Sequence, residues 1–162
     1  MIHLNIGSNL DSKLGNRFEN ISIAINLLIN SDLKINKVSN FYETPSYPNK
    51  KLPHFLNVGV MGNFKFDEKV LIKKIDLIEK KIGRIKNKKN DPRVCDIDII
   101  DYKSLVFKGN IITPHPKMHV RNFVLIPLYE INKNWTHPIS KIGIKKLIFS
   151  LSIEDIRSIK KI

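Results

Sequence analysis

The sequence lacks the features that mark several large classes of protein. It contains one cysteine, Cys95, so no disulfide can form within the chain, which is typical of a reducing compartment. No apolar run approaches the roughly 18 residues that a membrane-spanning helix needs. The first residues do not have the basic segment, apolar core and cleavage site of a secretion signal. We therefore expect a cytoplasmic protein that makes no membrane contact.

Acidic residues are scarce and glutamine is absent. There are 28 lysines and arginines against 15 aspartates and glutamates, which gives a net charge of +13. Such a charge attracts nucleic acid, a membrane surface or a polyphosphate. However, lysine, asparagine and isoleucine all have A/T-rich codons, so biased base composition can explain much of the charge. That bias replaces arginine by lysine, so the remaining arginines are informative: Arg17, Arg84, Arg93, Arg121 and Arg157.

The chain has 162 residues, of which 42% are hydrophobic, and shows no repeat, low-complexity tract or linker. These values predict one globular domain over residues 1–162. Alternating or apolar runs predict strands at 2–7, 33–44, 54–64 and 94–102. Apolar residues at helical spacing predict a helix behind an Asp11 or Ser12 cap and a second helix over 67–83 that ends at Gly83. Residues 120–131 are expected to be helical in part, and short helices are expected near 143–149 and 153–161.

The order strand–helix–strand–strand–helix–strand is typical of an α+β ferredoxin-like sandwich. In this fold we expect a mostly antiparallel sheet with helices on one face. The two proline-rich or basic loops, 44–53 and 84–93, could then close over the other face.

Two acids one residue apart, Asp96 and Asp98, interrupt an apolar run in the last predicted strand, in the stretch DPRVCDIDII at 91–100. Because residues two apart on a strand share a face, Asp96 and Asp98 should lie together, with their Cα atoms roughly 6.5–7 Å apart. Paired carboxylates beside phosphate are typical Mg²⁺ ligands, and two such ions are a common arrangement for phosphoryl transfer. A solvated acidic edge is the simpler alternative for an isolated pair of this kind.

The neighbouring arginines favour the metal interpretation. Arg84 and Arg93 lie at the two ends of the basic loop, and guanidinium groups match phosphate oxygens. The sequence has neither the glycine-rich loop of P-loop enzymes nor that of protein kinases. These residues predict a nucleotide site of another kind.

Seven ordered motifs resemble the 6-hydroxymethyl-7,8-dihydropterin diphosphokinase family of folate biosynthesis: IGSNL, FYETP, FLNVGV, IEKKIGR, PRVCDIDII, TPHP and RNFVLIPLYEI. They cover nearly the whole chain. The resemblance implies an ATP-dependent transferase that moves the β,γ-diphosphate of ATP to the hydroxymethyl group of the dihydropterin and releases AMP. It also implies two Mg²⁺ ions, a ferredoxin-like fold and a monomer.

The resemblance implies roles for individual residues. Asp96 and Asp98 would bind both metals, and Arg84 and Arg93 would act with them in catalysis. ATP would be bound by Asp76, Glu79, Arg84, Lys86, Arg93, Ile99, His115 and Arg121. The pterin would be bound by Thr44, Pro45, Tyr47, Phe55, Asn57, Asp96 and Phe123.

Simpler explanations exist for several of these residues. Phe55 and Phe123 could be ordinary core residues, His115 could serve a rigid turn between two prolines, and Glu79 could pair with a lysine one turn away. Asn57 in an apolar strand is harder to explain this way, because its buried amide needs partners.

Two other functions remain as alternatives. A basic ferredoxin-like sheet can bind single-stranded RNA, but the aromatic motif for this is missing, and Asp96 and Asp98 would repel phosphate unless a metal is bound. The chain could also be a relative that has lost its activity and serves as a structural partner. We expect neither, and so predict ATP and the dihydropterin as ligands and no nucleic acid.

Overall fold

The structure is a computed structural model that describes residues 1–46, 49–85, 91–109 and 111–162. The strands are β1 (Ile2–Ser8), β2 (Leu33–Val38), β3 (Tyr42–Thr44), β4 (Phe55–Phe64), β5 (Asp96–Tyr102), β6 (Phe107–Lys108), β7 (Ile112–Thr113) and β8 (Lys160–Lys161). The α-helices are α1 (Arg17–Ile29), α2 (Glu68–Ile82), α3 (Asn122–Ile131), α4 (Ile144–Phe149) and α5 (Ile153–Ser158). A short 3₁₀ helix, Met118–Val120, precedes α3. No helix in the described parts of the chain is long and apolar enough to cross a membrane.

The central sheet has six strands in the order β5-β1-β4-β3-β8, with β2 also paired to β4 beside β3. All these pairings are antiparallel, and β5 forms one edge. The predicted α+β ferredoxin-like class with an antiparallel sheet is confirmed. A separate hairpin joins β6 to β7.

Helices α1 and α2 cover one face of the sheet. Their apolar stripes pack on the inward residues of β1, β4 and β5 in the main core. The stripe of α2 consists of Leu71, Ile75, Ile78 and Ile82, all buried. Asp67 caps the helix start, and Gly83 ends it in the left-handed conformation with φ 107°, as the sequence predicts.

The expectation that helices lie on one face is wrong for the later part of the chain. Helix α3 packs on the opposite face of β4, and α4 packs on α3 in a second core. Gly59 permits the close approach of α3, because a Cβ there would lie 3.0 Å from the Cβ of Pro127. The remaining part of this face is the part that carries Asp96 and Asp98.

Three predicted boundaries are also wrong. Helix α1 is capped by Asn16 and Glu19 in a capping box, and not by Asp11 or Ser12. The strand predicted at 33–44 is two strands, β2 and β3. The helix predicted at 153–161 ends at Ser158, and the chain then adds β8 to the edge of β3.

Candidate active site

The acid pair lies on the same face of β5, on the side away from α1 and α2. In the sheet register Asp96 is opposite Gly7, which in turn is opposite Asn57 on β4. One row further along, Asp98 is opposite Asn5. Cys95 and Ile97, next to the acids in sequence, are buried in the main core. The period of two therefore separates the carboxylates from the apolar residues of the strand.

Three arginines surround the two carboxylates. Arg84 and Arg93 approach different oxygens of Asp96, with N–O distances of 2.8 and 2.9 Å. Arg121, at the start of α3, lies 3.4 Å from Oδ2 of Asp98. The side chains are only 20–31% exposed. The two ends of one loop and the start of α3 thus bring three guanidinium groups to one place, which is suited to a polyanionic ligand.

Glu79 connects this cluster to the main core. Its carboxylate is 5% exposed and accepts a 2.8 Å hydrogen bond from the Ile97 backbone N–H. It also accepts a hydrogen bond from Arg84. Burial raises the pKa of Glu79 to about 7, although the Ile97 N–H and the Arg84 guanidinium act in the opposite direction. The residue therefore pairs with an arginine and not with the lysine that the simpler explanation offered, and it orients Arg84 toward Asp96.

Two further groups of the cluster have shifted acidities. Burial and the neighbouring charge of Asp96 raise the pKa of Asp98. Burial and the charge of Arg121 lower the pKa of His115 to about 4, so this imidazole is neutral at physiological pH. Nδ1 of His115 accepts a hydrogen bond from the Lys117 N–H, and its Nε2 lies 3.5 Å from Arg121 Nη1. His115 thus both shapes its turn and contacts the arginine.

A cleft of about 320 Å³ runs along the outer side of β5 between α2 and the β7 segment. Half of its lining is polar and half is isoleucine. The polar residues are Asp76, Glu79, Arg84, Asp96, Asp98 and His115, and the isoleucines are Ile72, Ile75, Ile97, Ile99, Ile111 and Ile112. This cleft therefore brings the acid pair together with four of the residues predicted to bind the nucleotide: Asp76, Glu79, Ile99 and His115.

On the other side of the acid pair lies a polar pocket floor. Asn57 is 3% exposed and donates from Nδ2 to Oγ1 of Thr44 at 3.2 Å. Its Oδ1 accepts from Asn5 Nδ2 at 3.4 Å. Gly7 keeps this floor open, since a Cβ there would lie 3.2 Å from Asn57 Oδ1 and 3.5 Å from Phe55 Cδ1. These contacts satisfy the buried amide of Asn57 and fix its orientation.

Each of the two predicted phenylalanines contacts an arginine of the cluster. The Arg93 guanidinium lies 5.8 Å from the ring centre of Phe55, and that of Arg121 lies 5.4 Å from the ring centre of Phe123. Both phenyl groups are partly exposed, and Phe123 also packs against the second core. Pro45 is likewise half-buried, directly after Thr44. The predicted residues Tyr47 and Lys86 lie outside the described residues.

The sequence interpretation missed two asparagines that the fold brings to the site. Asn5 is 4% exposed, and its Oδ1 has no hydrogen-bond partner within the described part of the chain. Asn9 is 2% exposed and contacts both loops that flank the site. The signal for Asn5 was the alternation in IHLNIG, in which His3, Asn5 and Gly7 fall on the face of the acid pair. Asn9 lies in the IGSNL motif, but nothing in that motif indicated contacts beyond its own turn.

Comparison with known proteins agrees with this geometry. The family model of 7,8-dihydro-6-hydroxymethylpterin-pyrophosphokinase matches residues 3–133. A pyrophosphokinase of Aquifex aeolicus, 2-amino-4-hydroxy-6-hydroxymethyldihydropteridine pyrophosphokinase, is 34% identical over 146 residues, which are 90% of this chain and 88% of that protein. The folic acid synthesis protein fol1 of Pneumocystis carinii is 31% identical over 98% of this chain. The chain spans only 21% of the length of that fungal relative.

Solved structures show the same fold at lower sequence identity. A Plasmodium falciparum HPPK-DHPS structure with pterin and p-hydroxybenzoate superposes with a TM-score of 0.73 at 14% identity. The match covers 99% of this chain and 46% of that one. Because the family model spans most of the chain and the Aquifex relative is matched over nearly its whole length, the chain belongs to the 7,8-dihydro-6-hydroxymethylpterin-pyrophosphokinase family.

Proposed function

We propose that this protein transfers the β,γ-diphosphate of ATP to the hydroxymethyl group of 6-hydroxymethyl-7,8-dihydropterin and releases AMP. The observation that carries the proposal is the position of the Asp96–Asp98 pair. On one side of the pair is the cleft along β5, and on the other is the polar floor formed by Asn57 and Thr44. Arg84, Arg93 and Arg121 contact the two carboxylates. A donor and an acceptor can thus approach the same two carboxylates from opposite sides.

In this reaction the hydroxyl oxygen of the pterin forms a bond to the β-phosphorus. The bond between that phosphorus and the oxygen of the α-phosphate breaks, AMP leaves with that oxygen, and the hydroxyl proton passes to solvent. Negative charge spreads over the transferring group, and preorganised cations are the main source of stabilisation in such a step. Arg84 and Arg93 are suited to this role because Glu79 and Asp96 already hold their guanidinium groups in place.

The donor set fits Mg²⁺ that is bound together with ATP. Within the described residues no group of three or more histidines, cysteines or acids could hold a metal by itself. Mg²⁺ typically takes one or two carboxylates, with waters and substrate phosphates completing its ligands. Asp96 and Asp98 would hold two such ions. When bound, the ions would neutralise the negative charge of the phosphates.

The edge cleft would hold the nucleotide. Ile99 and the other isoleucines supply apolar surface for the adenine, and Asp76 lies on the α2 side of the same cleft. His115 and Arg121 lie near Asp98, where they would contact phosphate or ribose. Glu79 would act by orienting Arg84.

The pocket floor would hold the pterin. Asn57 and Thr44 present a fixed amide and hydroxyl to a flat heterocycle that has donors and acceptors along one edge. Phe55 and Phe123 would supply aromatic surface for its faces, and Pro45 would border it. Asp96 would lie near the attacking hydroxyl.

The proposal includes the remaining expectations from the sequence. The protein would act in the cytoplasm as a monomer, as a single domain over residues 1–162, without nucleic acid or membrane as partner. Light scattering coupled to size-exclusion chromatography tests the monomer directly, and a mass near twice 18.8 kDa would contradict it.

The decisive experiment measures nucleotide products. Purified protein is mixed with ATP, Mg²⁺ and the dihydropterin, and AMP and ADP are separated by chromatography. We expect AMP that depends on the pterin and disappears in Asp98→Asn, whereas Glu154→Ala, an exposed acid on α5, stays fully active. ADP as the product would mean ordinary γ-phosphoryl transfer and would refute the proposal. Binding of both ligands without turnover would favour the inactive alternative.

A further inference from the structure

Asn9 occupies a buried junction between two loops that are far apart in sequence. Its Nδ2 donates to Ser46 Oγ at 3.3 Å and to the Pro53 carbonyl at 3.1 Å. Its Oδ1 accepts from the Arg93 N–H at 2.7 Å, and its own N–H donates to the Arg93 carbonyl at 3.1 Å. Every polar group of this side chain is therefore used.

The partners of Asn9 belong to opposite sides of the site. Ser46 and Pro53 are near the two ends of the β3–β4 connection, which starts at Thr44 on the pterin side. Ser46 Oγ also donates to the Pro53 carbonyl at 2.5 Å, so both ends of this connection meet at Asn9. Arg93 pairs with Asp96 and lies over the ring of Phe55. The Asn9 side chain thus joins the backbone of Arg93, on the phosphate side of the site, to the β3–β4 connection on the pterin side.

The chemistry of these contacts requires an asparagine. The side chain must donate twice in the direction of the β3–β4 connection and accept once from Arg93. Aspartate accepts but cannot donate, and alanine does neither. Because the junction is buried, a shift of either loop has to break these hydrogen bonds or move the other loop with it.

We propose that Asn9 is a positioning residue that couples nucleotide binding to pterin binding. The inference rests on the proposed function, since it assumes that these two ligands occupy the two sides of the acid pair. Asn9 touches neither ligand. It transmits a change at Arg93 to the β3–β4 connection, and by reciprocity a change at the pterin side returns to Arg93.

The test measures the coupling itself and not the rate. The Kd of the dihydropterin is determined by calorimetry with and without saturating Mg²⁺ and an ATP analogue that has a methylene group between the α- and β-phosphates. The ratio of the two Kd values is the coupling factor, and we expect it to exceed about fivefold in the unchanged protein. Asn9→Asp keeps the acceptor for Arg93 and loses both donors. Its coupling factor should fall toward one, while the nucleotide Kd in the absence of pterin changes less than threefold.

Two further variants keep the test sharp. Ser46→Ala removes one of the two loop-side partners and should give an intermediate coupling factor, even if Asn9→Asp does not fold. Asn20→Ala is the matched control. Asn20 is also a fully buried asparagine, but its side chain bonds Ser12 and Leu10 and neither loop. It should lower stability and leave the coupling factor unchanged.

The outcomes separate the inference from the proposed function. Unchanged coupling in Asn9→Asp and Ser46→Ala, no coupling in the unchanged protein, or an equal loss in Asn20→Ala would overturn the role of Asn9 and leave the proposed reaction standing. Failure of the unchanged protein to bind either ligand would overturn both.

Discussion

Glu79 gives the sharpest prediction about acidity, because its carboxyl group is buried beside an arginine. Burial raises its pKa from 4.5 to about 7 in the folded protein. The folded state therefore binds the proton more tightly than the unfolded state does. For an acid with a raised pKa, stability is highest below the unfolded value and falls as the pH rises through the interval between the two values. The loss is complete above about pH 7.

The size of this effect follows from the shift. One pKa unit corresponds to about 1.4 kcal/mol, so the shift costs the folded protein about 3 kcal/mol at high pH. Glu79→Gln is neutral at every pH, and its Oε1 can still accept from the Ile97 N–H. As the pH rises from 4.5 to 7.5, the unfolding free energy of the unchanged protein should therefore fall by about 3 kcal/mol relative to that of the variant.

The assay is urea unfolding of both proteins at a series of pH values from 4.5 to 8.5. Subtracting one unfolding free energy from the other at each pH cancels the contributions of all other titrating groups. Glu130→Gln is the control, because its behaviour should be opposite. Although burial raises the pKa of Glu130, hydrogen bonds from Tyr42 and Asn40 lower it overall. That variant should lose stability at neutral pH, and the loss should fade as the pH falls. A difference for Glu79→Gln that does not change with pH would refute the reasoning.

Three other changes test the site and its support. Asn57→Ala removes the amide that is proposed to bind the pterin and leaves its two buried polar partners unpaired, at a cost of about 1–3 kcal/mol. The KM for the dihydropterin should therefore rise tenfold or more, while the KM for ATP stays the same. Equal rises in both KM values would contradict the assignment. Gly59→Ala places a Cβ 3.0 Å from Pro127 and should cost about 1–3 kcal/mol in thermal unfolding. Gly109→Ala, for which no atom of the described residues lies within 4 Å of the new Cβ, should cost little. Trp135→Phe removes a 2.8 Å hydrogen bond to a buried carboxylate and should lower Tm by several degrees without loss of specific activity; an unchanged Tm would show that this bond adds nothing to stability.

Local sequence patterns predicted the parts of the fold that local physics determines. The stripe and caps of α2 follow from helical spacing, Asp67 and Gly83. The shared face of Asp96 and Asp98 follows from the two-residue period of a strand. Both features need only neighbours within one element.

Distant contacts determined the features that were missed. The strand predicted at 33–44 divides where Ser39 Oγ accepts from the Gly59 N–H and Glu130 accepts from the Asn40 N–H. These partners lie 20 and 90 residues away along the chain. Strand β8 has two exposed lysines and no apolar pattern, and only its backbone pairing with β3 defines it.

The site shows the same division. The acids and arginines carried recognisable chemistry in the sequence. Asn9 did not, because its partners Ser46 and Arg93 are 37 and 84 residues away. The packing of α3 on the second face of the sheet was also missed, since it depends on the contact between Gly59 and Pro127.

The ion pairs of the site have a kinetic consequence. Arg84, Arg93 and Arg121 lie against Glu79, Asp96 and Asp98, so the site presents little net charge to an approaching nucleotide. The attraction over longer distances comes from the rest of the chain, which has a net charge of +13. Salt screens such distant charges over about 10 Å and screens close, half-buried pairs much less. Raising the ionic strength should therefore slow the association of ATP and leave its dissociation rate nearly unchanged.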